Sequence, residues 1–275
     1  MDMMNKLIWV VMMLAAFNVC ASDNYFDDYL VSKGFHKIVF PFTADGRVVE
    51  RVSDIASVSG GKKTFHVSSK GGGVVVEEID ENYHKGEVTE VRFQGFEFEG
   101  YSRGEWGGAL VVKYENNERE ILLGGNVVDM VPAYDALYVF TGLSHLSASE
   151  GRVSVIRDFT KPLKVEGFTL LPWAPEVVDF DVSRGLFTVV GDSGVMEVFV
   201  EMPFDEGGAG HKNSQYMNVY FVKNGWRELY PNSVIRKGDF LLIGMRDVVA
   251  VVRLAGVSGE ATVTYYMRRK MGSAP

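Results

Sequence analysis

Three stretches of this chain end alike. Leu137-Tyr138-Val139-Phe140-Thr141-Gly142 is answered by Leu186-Phe187-Thr188-Val189-Val190-Gly191, and again by Asp239-Phe240-Leu241-Leu242-Ile243-Gly244. The closing glycines stand 49 and 53 residues apart, and each is followed by a second apolar run, at 153–156, 195–199 and 248–252. Val127-Val128-Asp129 likewise returns as Val177-Val178-Asp179. Self-similarity at this period restricts a chain to solenoids, propellers or arrays. The runs are β-branched and aromatic with almost no 3.6-residue periodicity, which selects a propeller over helical solenoids. Residues 136–140 show no polar alternation, as expected of a strand buried on both faces between neighbouring blades. The expected fold is all-β and β-propeller-like, with about five blades of mostly four antiparallel strands.

Arg152-Val153-Ser154-Val155-Ile156-Arg157-Asp158, then Lys161-Pro162-Leu163-Lys164-Val165-Glu166-Gly167 and Val178-Asp179-Phe180-Asp181, resembles the LVIVD-type β-propeller repeat of bacterial and archaeal surface proteins. That repeat has a strand ending in Asp, a short Pro-containing turn and a strand ending in Gly. The match covers about residues 127–200. After Val200 the turn becomes Glu201-Met202-Pro203-Phe204-Asp205 with a long insertion. The resemblance implies a propeller scaffold and no catalytic residues, because a fold does not fix a function.

The chain opens with Lys6, an apolar run over 7–19 and Cys20-Ala21-Ser22. A positive start, an apolar centre too short to span a bilayer and a small-residue exit are the parts of a secretory signal peptide. Cleavage is expected after Ala21 or Ser22, leaving one domain over 22–275 and no transmembrane segment. Phe17-Asn18-Val19 lacks the Leu and the small residue that usually precede a lipidated cysteine, so a lipoprotein anchored at Cys20 is the lesser expectation. Cleavage would also remove the only cysteine. A cysteine-free exported chain fits a bacterial periplasm or cell surface better than a disulfide-stapled secreted module. A chain of about 250 residues can bury an adequate core without staples. The net charge of −8 argues against nucleic acid and anionic membrane as partners.

In chain order, residues 23–34 read as a short helix with Tyr25, Phe26, Tyr29 and Leu30 on one face and Gly34 at its end. Residues 36–42 and 47–52 read as a hairpin around Asp45-Gly46. The first blade is expected from strands near 48–58, 63–68 and 74–79. The second has strands at 88–93, 96–101, 109–114 and 120–123. The third spans 126–172 and the fourth 173–231, the latter with a loop over 203–214 and an added hairpin, 218–222 and 226–229, around Asn224-Gly225. The fifth spans 232–269. The N-terminal strand near 37–42 is expected to complete the last blade, since an unpaired edge is a liability.

No chemical motif stands out. The five histidines, His36, His66, His84, His145 and His211, are never spaced i, i+2 or i, i+4, so no metal ligand set is written locally. Gly191-Asp192-Ser193-Gly194 reads as a turn between strands rather than a nucleophile loop. No helix follows the glycine clusters at 60–61 and 71–73, so they are no phosphate cradles. No catalytic residue, metal or cofactor is expected. Binding is expected on the face built from loops joining second and third strands and from the links between blades. That face holds Tyr101, Arg103, Trp106, His145, Trp173, Tyr230 and Arg246, residue types that dominate binding hot spots.

The expected role is a monomeric, non-catalytic exported binding scaffold that engages a protein or an envelope component through this face. One alternative is an exported immunity or inhibitor protein whose acidic surface neutralises a basic enzyme. Another is a propeller-type hydrolase of glycan or ester. It would need two or more carboxylates, or a base and a nucleophile, on one face; that face holds His145, Glu105, Glu150, Asp192 and Asp247, and two of these carboxylates about 5–10 Å apart in a cleft would favour it.

Overall fold

The three glycine-ended runs each become the second strand of an antiparallel sheet. A computed structural model describes residues 25–40, 42–44, 47–50, 55, 63–79, 88–145, 148–200, 217–222, 226, 229–254 and 259–268. The leader over 1–21, Cys20 and the loop over 203–214 lie outside these residues.

Four sheets of four or five strands follow one another along the chain. The second blade is Val88–Phe93, Phe96–Ser102, Gly108–Lys113 and Arg119–Gly124, and the third is Val127–Ala133, Ala136–His145, Ala148–Ile156 and Glu166–Leu171. The fourth is Pro175–Asp181, Leu186–Gly191, Gly194–Phe199 and Met217–Phe221; the fifth is Ser233–Lys237, Phe240–Gly244, Val249–Arg253 and Thr262–Arg268. All four are up-and-down meanders in which each strand pairs antiparallel with the next. The first strand of each later sheet packs on the sheet before it, which is the blade-on-blade arrangement of a propeller-like fold.

Period-two geometry explains why the second strands lack polar alternation. Leu137 and Val139 join Phe98, Leu110 and Val112 at the seam between blades two and three. Tyr138 and Phe140, on the opposite face, join Phe187, Val189, Met196 and Val198 at the seam between blades three and four. Leu241 and Ile243 meet Val190 and Val195, while Phe240 and Leu242 face away from them toward Phe65 and Val67. Successive side chains point to opposite faces of a strand, and here both faces are core. Each such side chain contributes about 1.5–3 kcal/mol on burial.

The first blade departs from expectation. Thr64–Lys70 and Gly73–Ile79 form a two-stranded hairpin that packs on the fifth blade. Arg47–Val49 does not join it; it pairs with Phe42–Ala44 in a hairpin of its own. The added hairpin of the fourth blade lies partly outside the described residues, at its Asn224-Gly225 turn and at 227–228. Met217–Phe221 is that blade's fourth strand, paired with Gly194–Phe199 and, on its other edge, parallel with Gly259–Glu260. Trp226 and Leu229 lie in a turn, the Leu229 N–H donating to the Trp226 carbonyl at 2.8 Å.

The N-terminal segment is tied to the last blade. The α-helix Tyr25–Ser32 buries Phe26 and Leu30, and Phe35–Lys37 pairs with Thr262–Arg268 as a fifth strand. The pairing begins two residues before the expected strand because Phe35 is the apolar residue that fits against Phe65 and Tyr266. Among the described residues, no helix is long and apolar enough to cross a membrane.

Candidate functional site

The loop between the second and third strands of blade two is short, rigid and unusually exposed at its tip. Strand Phe96–Ser102 closes with Ser102 opposite Gly108, and the intervening residues form a 3₁₀ turn, Gly104–Trp106. Gly104 and Gly107 have φ of +58° and +81°, a region that L side chains avoid. The turn is held from within, since the Trp106 N–H donates to the Arg103 carbonyl at 3.2 Å and the Gly107 N–H to the Gly104 carbonyl at 3.1 Å. It is also held from below. The buried Asn126, on the link into blade three, accepts from the Arg103 N–H at 3.0 Å and donates to the Gly104 carbonyl at 2.7 Å. With its backbone clamped, the loop presents Trp106 at 84% exposure.

Beside this loop, between blades two and three, lies a cleft of about 440 Å³. Its blade-two wall is Glu105, Gly107 and 123–125; its blade-three wall is Thr141, Leu143, Glu150, Arg152 and Leu170. Cross-strand register places the latter set on one sheet face, Leu143 opposite Glu150 and Thr141 opposite Arg152, with Arg152 in turn opposite Leu170. Glycine supplies much of the floor, at 104, 107, 124, 125, 142 and 151. The exposed His145 has its Nε2 3.4 Å from Oε2 of the cleft-lining Glu105.

The structure sorts the seven expected binding residues into three settings. Arg103 and Trp106 flank the cleft-lining Gly104, Glu105 and Gly107 in sequence, and His145 stands 3.4 Å from Glu105, but neither these three nor Tyr101 line the cleft itself. Tyr101 donates its hydroxyl proton to Glu99 at 2.6 Å and accepts from Arg119 at 2.8 Å, and the Arg103 guanidinium lies 5.6 Å from its ring. Glu99 and Arg119 complete this group as an ion pair. Tyr230 and Arg246 form a separate surface pair at the fifth blade, the guanidinium stacked 4.2 Å from the ring. Neither lines the cleft. Trp173 is corrected outright: at 3% exposure it is core, packed between blades three and four with its ring 5.3 Å from that of Phe221.

Of the four carboxylates weighed for hydrolysis, Glu105 and Glu150 line the cleft. Asp192 and Asp247 are buried and structural. Asp192 accepts from the hydroxyls of Ser144 at 2.8 Å and Ser193 at 2.9 Å, joining the blade-three hairpin to the fourth blade's turn. Ser193 thus sits in a two-residue turn between Gly191 and Gly194, as its sequence suggests. Asp247 donates its N–H to the Lys63 carbonyl at 2.6 Å, tying blade five to the first hairpin. Among the described residues no group of three or more metal-ligating side chains occurs.

Sequence reasoning missed Arg152, Glu99 and Arg119, because their roles depend on register between strands. Arg152 alternates with Glu150 along one strand, which was the one signal available.

No family model matches this chain, and no curated protein does. Among solved structures it is similar to the "AfRom2 CNH domain", with a TM-score of 0.33 and 12% identity, over 76% of this chain and 95% of that one. The superposition is loose at that score, and the assignment of fold rests on the strand order and register above.

Proposed function

We propose that this protein is an exported, non-catalytic binding scaffold of the bacterial periplasm or cell surface. It works as a monomer and engages a protein or an envelope component through the cleft face of blades two and three. The observation that carries this reading is Trp106, held 84% exposed on a clamped loop beside the cleft. A large aromatic side chain presented to water on a clamped backbone gains much when a partner covers it. Tyr101 and Arg103 beside it are hot-spot residue types as well. The leader-like first 21 residues support export, and the resemblance of residues 127–200 to LVIVD-type repeats supports a surface scaffold.

The test is affinity capture from envelope extract with the full chain, next to an Arg103→Ala/Trp106→Ala variant. Both positions are exposed, so the variant should melt like the wild type. A single partner kept by the wild type and lost by the variant is the expected result. Equal capture by both would sink the reading.

A second reading has one observation in its favour: Glu105 and Glu150 share the cleft, with His145 beside Glu105. A glycan or ester hydrolase would use such carboxylates. Turnover of an envelope glycan or a model ester, lost in Glu150→Gln, would put this reading first.

A further inference from the structure

The cleft's two walls differ in what they offer, and the difference is ordered along its length. At the mouth, Glu105 from blade two and Glu150 from blade three present exposed carboxylates, with His145 3.4 Å from Glu105 and Arg152 two residues along the strand from Glu150. Among the described residues, none is shown in a hydrogen bond or ion pair with the Glu150 carboxylate. One step farther along the strand, Arg152 faces the cleft opposite Thr141 and Leu170. Leu123, Leu143 and the 66%-exposed Leu170 supply apolar surface, and Gly104, Gly107, Gly124 and Gly125, where an added Cβ would meet nothing within 4 Å, leave room for another backbone to approach.

We infer that this cleft binds an extended peptide segment that carries a basic side chain beside an apolar one. The inference rests on the scaffold reading and names its ligand. The lysine or arginine of the segment lies between Glu105 and Glu150, where two carboxylates from opposite walls can each accept a charge-assisted hydrogen bond. The neighbouring apolar side chain rests on Leu143 and Leu170. Arg152 donates to a main-chain carbonyl of the segment, an acceptor that alternation in an extended chain brings to that depth. A volume of about 440 Å³ is at the small-ligand end of binding clefts and suits a segment of a few residues. The acidic balance of the whole chain, −8, acts in the same direction by drawing a basic partner in.

The test is calorimetric titration of the full chain with acetylated, amidated Lys-Leu-Lys-Leu, its Glu-Leu-Glu-Leu counterpart and a neutral oligosaccharide, maltotetraose. Each is repeated with Glu105→Gln/Glu150→Gln and with Arg103→Ala/Trp106→Ala, after thermal melts confirm folding. The expected result is binding of the basic peptide alone, weakened about tenfold or more in the Glu→Gln variant, as loss of hydrogen bonds to a charged group implies. Added salt should weaken it as well. Equal affinity for both peptides, indifference to the Glu→Gln changes, or binding of the oligosaccharide in their place overturns the inference. Absence of peptide binding while envelope capture still depends on Arg103 and Trp106 overturns it too, and leaves the scaffold reading intact. Loss of both sinks both.

Discussion

A Cβ placed on Gly191 would stand 2.1 Å from Cδ1 and 2.3 Å from Nε1 of Trp173, and one on Gly142 would stand 2.5 Å from Cδ of Pro175. On Gly244 it would meet the Phe65 carbonyl oxygen at 2.3 Å. The recurring glycine is therefore the point at which a neighbouring segment crosses the end of a second strand. The spacing was legible as a repeat; the crossing was not, because the crossing residue differs each time. The same blindness applies to the two loop tryptophans. Gly104-Glu105-Trp106-Gly107, in a loop within a blade, and Leu171-Pro172-Trp173-Ala174, at a link between blades, look alike as exposed connections, yet one ring is in water and the other fills the space that Gly191 vacates. Trp173→Ala should cost about 3–5 kcal/mol, as deletion of a buried large aromatic does. Trp106→Ala should shift stability by no more than about 0.5 kcal/mol, as exposed positions do. Urea unfolding of the two variants decides it, and similar losses would mean that the Trp106 loop carries structural weight.

At the scale of the strand, the fourth blade hides a row of polar residues. Asp179 lies opposite Thr188, Thr188 opposite Glu197, and Glu197 opposite Asn218. Arg236, from the first strand of blade five, covers the row, 2.6 Å from Glu197 and 3.3 Å from the Thr188 hydroxyl. Asn218 and Tyr220 donate to the same Glu197 carboxylate, each at 3.0 Å. Burial pushes the Glu197 carboxyl up, but these donors and Arg236 together hold it below its ordinary value. Burial also pushes Asp179 up, and there it wins over the Phe180 N–H and Arg236. The two carboxylates thus act on stability with opposite signs. Glu197, depressed, stabilises the fold above the ordinary glutamate range, about 4.3, and that contribution is lost as pH falls through its folded value. Asp179, raised, costs stability when ionised at neutral pH, and the cost vanishes once acid protonates both folded and unfolded states. Asp179→Asn should raise the melting temperature at pH 7 and lose that advantage near pH 3. Arg236→Met should cost about 3–5 kcal/mol at pH 7, because it strands a buried carboxylate. An unchanged melt for Arg236→Met would show that water, not Arg236, solvates Glu197. Many of the strands were legible from their runs, those of blade two nearly to the residue and the two middle strands of blade five within a residue or so. The polar row was not, since its closing residue lies 39 positions beyond Glu197 and reaches it only through packing of one blade on the next.

Across the whole molecule, the order of strands makes the N-terminal segment a structural part of the last blade. The fifth sheet runs Phe35–Lys37, Thr262–Arg268, Val249–Arg253, Phe240–Gly244, Ser233–Lys237, so a segment from near the start of the chain covers the edge of its final strand. The Ile38 N–H continues the pairing to the Tyr265 carbonyl at 2.8 Å. Phe26 and Leu30 of the helix before it fill the same buried cluster as Phe65 and Val67 of the first hairpin and Tyr266 of the last strand. Three segments that are distant in sequence thus share one core, and none of them completes it alone. Removal of residues 1–40 would uncover both the strand edge and that apolar face, a combination that favours aggregation. The truncated chain should be insoluble. A point change separates loss of the seam from failure of a shortened chain to express. Leu30→Ala should cost about 2–5 kcal/mol, whereas Val31→Ala, at a position 60% exposed, should cost almost nothing. Hydrogen exchange should show the same division, with amides of Thr262–Arg268 losing protection in Leu30→Ala and those of the second blade keeping theirs. A soluble truncation with a native melt, or a Leu30→Ala variant that leaves exchange in the last strand unchanged, would mean that the fifth blade holds together without the N-terminal segment.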